Sequence, residues 1–98
     1  MVPTYSLALI KKLVSEGKRN ITESALKSAG ELEMDESDID VCVCEALTED
    51  DFYKTMPAEK AFGLWQDVYR VEFGGFLIYL KVQINLISRA VIISFKLK

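Results

Sequence analysis

An α+β fold, with about three helices packed on one face of an antiparallel β-sheet, is what this 98-residue chain predicts from three observations. Apolar residues in the first half recur at helical spacing, and the second half is a series of β-branched and aromatic runs punctuated by glycines. The order, helices first and sheet last, lets the helices cover one side of the sheet. With 50% hydrophobic and 28% charged residues, the sequence predicts one folded domain over residues 1–98 rather than a disordered segment. A chain this short removes only ~60 to 70% of its unfolded surface from water, so its apolar residues must serve one shared core.

Residues 6 to 16 set Leu7, Ile10 and Val14 on one buried helical stripe with Leu9 and Leu13 beside it. Thr4 or Ser6 can cap its start, and Gly17 suits its end. Thr22 before Glu23 predicts a second helix whose inner face is Ala25, Leu26, Ala29 and Leu32. The acidic run MDESDID, 34–40, has no periodicity and reads as a solvated loop, and VCVCEAL, 41–47, reads as a short strand. Thr48 opens TEDDFYKTM, predicted as a third helix that Pro57 stops. The runs 64–73, 76–86 and 90–98 read as consecutive antiparallel strands, with Gly63, Gly74 and Gly75 at the breaks.

Strand alternation sorts the side chains by face. Phe76, Ile78, Leu80, Val82 and Ile84 share one face, leaving Leu77, Tyr79, Lys81, Gln83 and Asn85 on the other. In the last strand Val91, Ile93, Phe95 and Leu97 form the apolar set, with Ile92, Ser94, Lys96 and Lys98 outward. The register that merges the two apolar sets puts Tyr79 opposite Lys96 and Lys81 opposite Ser94. The same rule groups Gln66 with Arg70, so the sheet is expected to bury one face and display a polar, cationic second face. Phe52, Trp65 and Phe95 are expected in the core.

A net charge of −3 argues, taken alone, against a nucleic-acid binder. The total hides a split: residues 31–51 hold ten acids and no base, so the rest of the chain carries twelve bases against five acids, or +7. That part can still bind a polyanion. Histidine is absent, which excludes a His nucleophile activator or a His-ligated metal. Cys42 and Cys44 are too close together to staple the fold, too few to close a zinc site, and read as core side chains with reduced thiols. The acidic run lacks the spaced ligands and glycine of a calcium loop, and no glycine-rich turn leads into a helix to cradle phosphates. No cofactor and no metal are therefore expected. The start of the chain has its charges after its apolar residues, the reverse of a secretory signal, and no run approaches the ~20 residues of a membrane span. A cytoplasmic protein is expected.

The chemistry left to Lys, Arg, Tyr, Gln and carboxylates suits one reaction class better than most. RNA can be cleaved by its own 2′-hydroxyl, which needs proton transfer at two oxygens and positive charge on a phosphorane-like transition state, but no metal.

The strings LIKKLV, ESAL, LTEDDFYKTM, WQDVYR, IYLKV and VIISFK stand in the order and nearly the spacing of the motility quorum-sensing regulator (MqsR) family of bacterial toxins, which this chain resembles over almost its whole length. The resemblance implies a RelE-like toxin fold and a metal-independent mRNA endoribonuclease that favours short GC-containing sites in single-stranded message. It also implies a cognate antitoxin with a zinc-binding part and a helix-turn-helix part, DNA being reached only through that partner. Carried onto this sequence, the family's active-site residues are Lys54, Gln66, Arg70, Tyr79 and Lys96, with Tyr53, Met56 and Lys81 as substrate contacts. Lys54 or Lys96 would move protons, Arg70 would stabilise the phosphorane, Tyr79 would donate a proton or stack on a base, and Gln66 would orient a phosphate or base edge. Two other readings compete. One is a catalytically weak antitoxin-binding, operon-regulating protein; the other is a strand face that recruits RNA without cutting it.

Overall fold

The computed structural model describes residues 1–59 and 63–98. Helix α1, Leu7–Ser15, starts where Ser6 Oγ accepts the Leu9 N–H and ends at Gly17, whose φ of 76° a side chain would resist. It buries Leu7, Ile10, Leu13 and Val14 and leaves Leu9 outside. Strand β1, Arg19–Ile21, leads into helix α2, Glu23–Glu31, capped by Thr22 and packed through Ala25 and Ala29. Helix α3, Glu36–Val41, runs into a π-helical turn, Cys42–Ala46, and a 3-10 turn, Glu49–Asp51. Strands β2, Phe52–Pro57, β3, Trp65–Phe73, β4, Phe76–Ile84, and β5, Ala90–Leu97, complete a five-stranded sheet in the order β1-β5-β4-β3-β2. β1 runs parallel to β5, and every other pairing is antiparallel.

The helices cover one face, as an α+β layout requires. Ile10, Ala25, Ala29, Ile39 and Val43 meet Tyr69, Val71, Ile78, Leu80, Ile92 and Phe95 in one core. The acidic segment belongs to this covering layer, because Ile39, Cys42, Val43 and Leu47 anchor it there.

Five expectations are corrected. The acidic run 34–40 is not a loop: Asp35 and Asp38 each accept the other's backbone N–H, at 3.0 and 2.9 Å, so these acids start a helix. Residues 41–47 do not form a strand. Burial of Ile39, Cys42 and Val43 follows helical spacing, and Lys11 Nζ donates to the carbonyls of Val43 and Cys44 at the end of the turn. The span 48–56 is not a helix either. Thr48 and Asp51 close a single 3-10 turn, after which Phe52–Pro57 gains more by pairing with β3. In β5, Lys81 faces Ser94 but Val82 faces Ile92, so Ile93 is an extra, bulged residue. Beyond it the faces swap: Ala90 and Ile92 are buried, while Val91 and Ile93 are only half-buried. Trp65, expected in the core, is 45% exposed, whereas Phe95 is fully buried and Phe52 half-buried against Tyr69. The three-residue β1 had no sequence signal, since Arg19 and Asn20 lack strand character.

Tyr69 carries a testable energetic signature. Its Oη is buried and has no hydrogen-bond partner among the described residues, and burial, with Asp67 and Glu49 nearby, pushes the phenol up to about 12. The native state therefore holds a proton that the unfolded chain releases from about pH 10. This contribution to stability is intact below pH 10 and is lost as pH rises toward 12. Tyr69→Phe is expected to raise urea-denaturation stability by about 1 kcal/mol at pH 7 and to flatten the alkaline loss between pH 10 and 12.

Candidate active site

The face of the sheet away from the helices is built by strand register. Arg70 pairs with Tyr79, and Tyr79 with Lys96, giving one transverse row. The next row is Lys54, Val68, Lys81 and Ser94, and beyond it Met56 pairs with Gln66. Neighbouring strands lie ~4.8 Å apart, so these three rows occupy one continuous patch. Val68 is fully covered between the two lysines and forms an apolar floor.

A second bulge fills out the patch. Phe52 faces Tyr69 while Lys54 faces Val68, which leaves Tyr53 as the extra residue of β2. Tyr53 lies under Arg70, whose Cζ is 3.5 Å from the ring centroid, with Lys54 Nζ 5.5 Å from the same centroid. Tyr79 is flanked likewise by Lys96 Nζ at 5.4 Å and Lys81 Nζ at 5.9 Å. Each phenol ring thus serves two cations, and the rings, rather than carboxylates, hold the positive groups in place. Arg70 makes no ion pair or side-chain hydrogen bond among the described residues, and its Nε is buried without a partner. By contrast, Arg19 at the other end of the molecule is neutralised by Asp40 and Glu36, hydrogen bonds that raise its pKa.

Every residue singled out from sequence sits on this face: Tyr53, Lys54, Met56, Gln66, Arg70, Tyr79, Lys81 and Lys96. Lys54 reaches it from a strand, not from the helix first assigned to it. One neighbour was missed. Gln66 Nε2 donates to Gln83 Oε1 at 3.0 Å, and Gln83 is almost fully covered. Alternation had set Gln83 on the face of Tyr79 and Lys81, which was the available signal.

The cysteines stand apart. Burial pushes the Cys42 thiol up to about 12 and raises Cys44 as well, so neither is a ready nucleophile at neutral pH. Among the described residues no group of three or more Cys, Asp or Glu could hold a metal ion, and no helix is long and apolar enough to cross a membrane.

Cations without an ion pair among the described residues, spread over an antiparallel sheet with aromatic rings between them, suit a chain of phosphates better than a lone anion in a pocket. The class so defined is a small α+β protein with a cationic, aromatic-lined sheet face. Residues 2–97 match the family described as motility quorum-sensing regulator, toxin of MqsA, and the chain belongs to that family. It is also 40% identical over 97 residues to the mRNA interferase toxin MqsR of Escherichia coli (strain K12), an alignment covering 98% of this chain and 95% of that protein.

Proposed function

We propose that this chain, acting as a single domain in the cytoplasm, is a toxin that cleaves single-stranded mRNA without a metal and is neutralised by a cognate antitoxin. The observation that carries the reading is Arg70, without an ion pair among the described residues, set between Tyr53 and Tyr79 with Lys54, Lys81 and Lys96 around them. Family membership and the name of the E. coli relative support the same substrate. The family resemblance extends the reading to short GC-containing sites and to an antitoxin with zinc-binding and helix-turn-helix parts.

The chemistry follows from the residues. The 2′-oxygen of a bound ribose attacks the adjacent phosphorus as its proton passes to a base, and the P–O5′ bond breaks as the 5′-oxygen gains a proton. The products are a 2′,3′-cyclic phosphate and a 5′-hydroxyl, so no water is consumed. Arg70 meets the charge that grows on the phosphorane oxygens. Lys54 or Lys96 takes up or returns the protons, Tyr79 donates a proton or stacks on a base, and Gln66 orients the substrate. Tyr53, Met56 and Lys81 contact the flanking nucleotides. The acidic helix α3 and the turn after it pack on the opposite side of the sheet through Ile39, Cys42 and Val43, so only the end of the acidic segment, at Asp51, comes to the cavity that Arg70 lines.

Purified protein should cut a single-stranded RNA carrying varied GC sites in excess EDTA, and Lys54→Ala and Lys96→Ala should each cut more slowly. RNA left intact in EDTA but cut when magnesium is restored would remove metal independence. RNA left intact in both, with tight binding to the antitoxin, would favour a regulatory protein without nuclease activity.

A further inference from the structure

Gln83 has no part in the machinery above, yet its position is too well held to be a casual surface amide. It is 9% exposed on the open face of the sheet and accepts a 3.0 Å hydrogen bond from Gln66. The two glutamines line a groove of about 450 Å³, within the range of ~300–1,000 Å³ usual for small-molecule sites. Gln66 and Lys81 belong to both this groove and the cation patch, so the two are continuous. A phosphate held among Lys54, Arg70 and Lys96 therefore leaves a neighbouring nucleoside at the mouth of the groove.

The lining suits a base rather than a second phosphate. Besides the glutamines and Lys81, the groove is lined by Glu59, Ser24, Ile93 and Ser94, the last paired with Lys81 across the strands. A phosphate would meet Glu59 unfavourably, whereas a base finds an apolar wall for its ring and neutral polar groups for its edge. The wall is firmly built. Thr22 Oγ1 donates to the Ile93 carbonyl at 2.9 Å, and the Thr22 N–H donates to the Ile92 carbonyl at 3.1 Å, which pins the β5 bulge.

We propose that Gln83, fixed against Gln66, reads the Watson–Crick edge of one nucleobase flanking the scissile phosphate and sets nucleotide preference at that position; this rests on the ribonuclease reading. With Gln66 Nε2 donating to Gln83 Oε1, the Gln83 NH₂ and the Gln66 carbonyl oxygen have no other side-chain partner among the described residues and stand as one donor and one acceptor. Every base offers a donor beside an acceptor on that edge. Adenine and cytosine place an exocyclic amine next to a ring-nitrogen acceptor, while guanine and uracil place an exocyclic oxygen next to a ring N–H. The order is reversed between the two classes. A fixed donor and acceptor therefore match one class and set like against like in the other.

The test uses the full chain and an RNA library randomised on both sides of the cut, with product ends counted by sequencing. The parent should discriminate between the amino and keto classes at one flanking position. Gln83→Met, which keeps length but removes both polar groups, should reduce that discrimination roughly 5- to 150-fold and leave preferences elsewhere unchanged. Gln83→Glu removes the free donor with almost no change of shape, so it should alter which class is favoured, and it keeps the test open if the Met variant folds poorly. Unchanged profiles in both variants, or a uniform fall in cleavage with the profile intact, would overturn the assignment. A parent that cuts no RNA overturns the ribonuclease reading and this one with it. A parent that cuts, with variants that keep its profile, overturns this one alone.

Discussion

Arg70→Ala is expected to slow RNA cleavage by roughly 10²- to 10³-fold, the usual cost of deleting a positioned charge that meets an anionic transition state. The magnitude rests on what surrounds the guanidinium. It lies 3.5 Å from the Tyr53 ring, pairs in register with Tyr79, and makes no ion pair among the described residues, although Asp51 and Glu72 line the same cavity. A charge left unpaired in this way costs the free protein something and is recovered when phosphate arrives. For the same reason stability should change by no more than about 1 kcal/mol, since the variant gives up one cation–π contact and a buried Nε without a partner. Arg70→Lys should recover only part of the rate, because an ammonium restores the charge but neither the plane that stacks on Tyr53 nor the two-pronged contact with phosphate oxygens. Single-turnover cleavage of an end-labelled oligonucleotide, with thermal melts alongside, measures both quantities. An alanine variant within threefold of the parent would sink the role assigned to Arg70.

The face that carries Arg70 was legible in the sequence because alternation is a local rule. Tyr79 opposite Lys96 and Lys81 opposite Ser94 needed only the period of two and a match of apolar sets, and both pairs are present. Past Lys81 the same rule failed, because the Ile93 bulge is held by Thr22, a residue 71 positions away that no strand pattern reveals. Tyr53 illustrates the opposite error. The run Thr48–Asp51 is a true capping signal, but tertiary pairing with β3 ends the turn after three residues and turns Tyr53 and Lys54 toward Arg70. The acidic 34–40 segment misled because acids were read as solvated, whereas Asp35 and Asp38 spend their charge on helix N–H groups and Ile39 supplies the burial. Gln66 and Arg70 were found through their shared parity with the family strings. Gln83 had the same parity and no string, so it surfaced only when its contact with Gln66 was seen.

Asp67→Ala should destabilise the protein by about 2 to 4 kcal/mol without removing cleavage from the molecules that remain folded. Asp67 lies between Gln66 and Val68 but points to the covered face, where it is fully buried. One carboxylate oxygen accepts the Thr4 N–H at 3.0 Å and the other the Tyr5 N–H at 2.8 Å, tying the N-terminal segment to β3 just before α1 begins. Charge-assisted hydrogen bonds contribute roughly 1.5–3 kcal/mol each, and the carboxylate's own desolvation takes back part of their sum. A native state of this size is stable by only ~5–15 kcal/mol, so the loss is a large fraction of the whole. Asn is a poor substitute: its oxygen can serve one N–H, but its NH₂ then confronts the other, so Asp67→Asn should recover less than half of the deficit. The second tie, Tyr5 Oη donating to the Trp65 carbonyl at 2.6 Å, keeps the segment from detaching entirely. Urea midpoints, together with hydrogen exchange at the Thr4 and Tyr5 amides, would record the change. An alanine variant within 0.5 kcal/mol of the parent would mean that water serves those two amides as well as the carboxylate does, and that the Tyr5 tie, the Lys11 contacts and the apolar stripe suffice to hold α1.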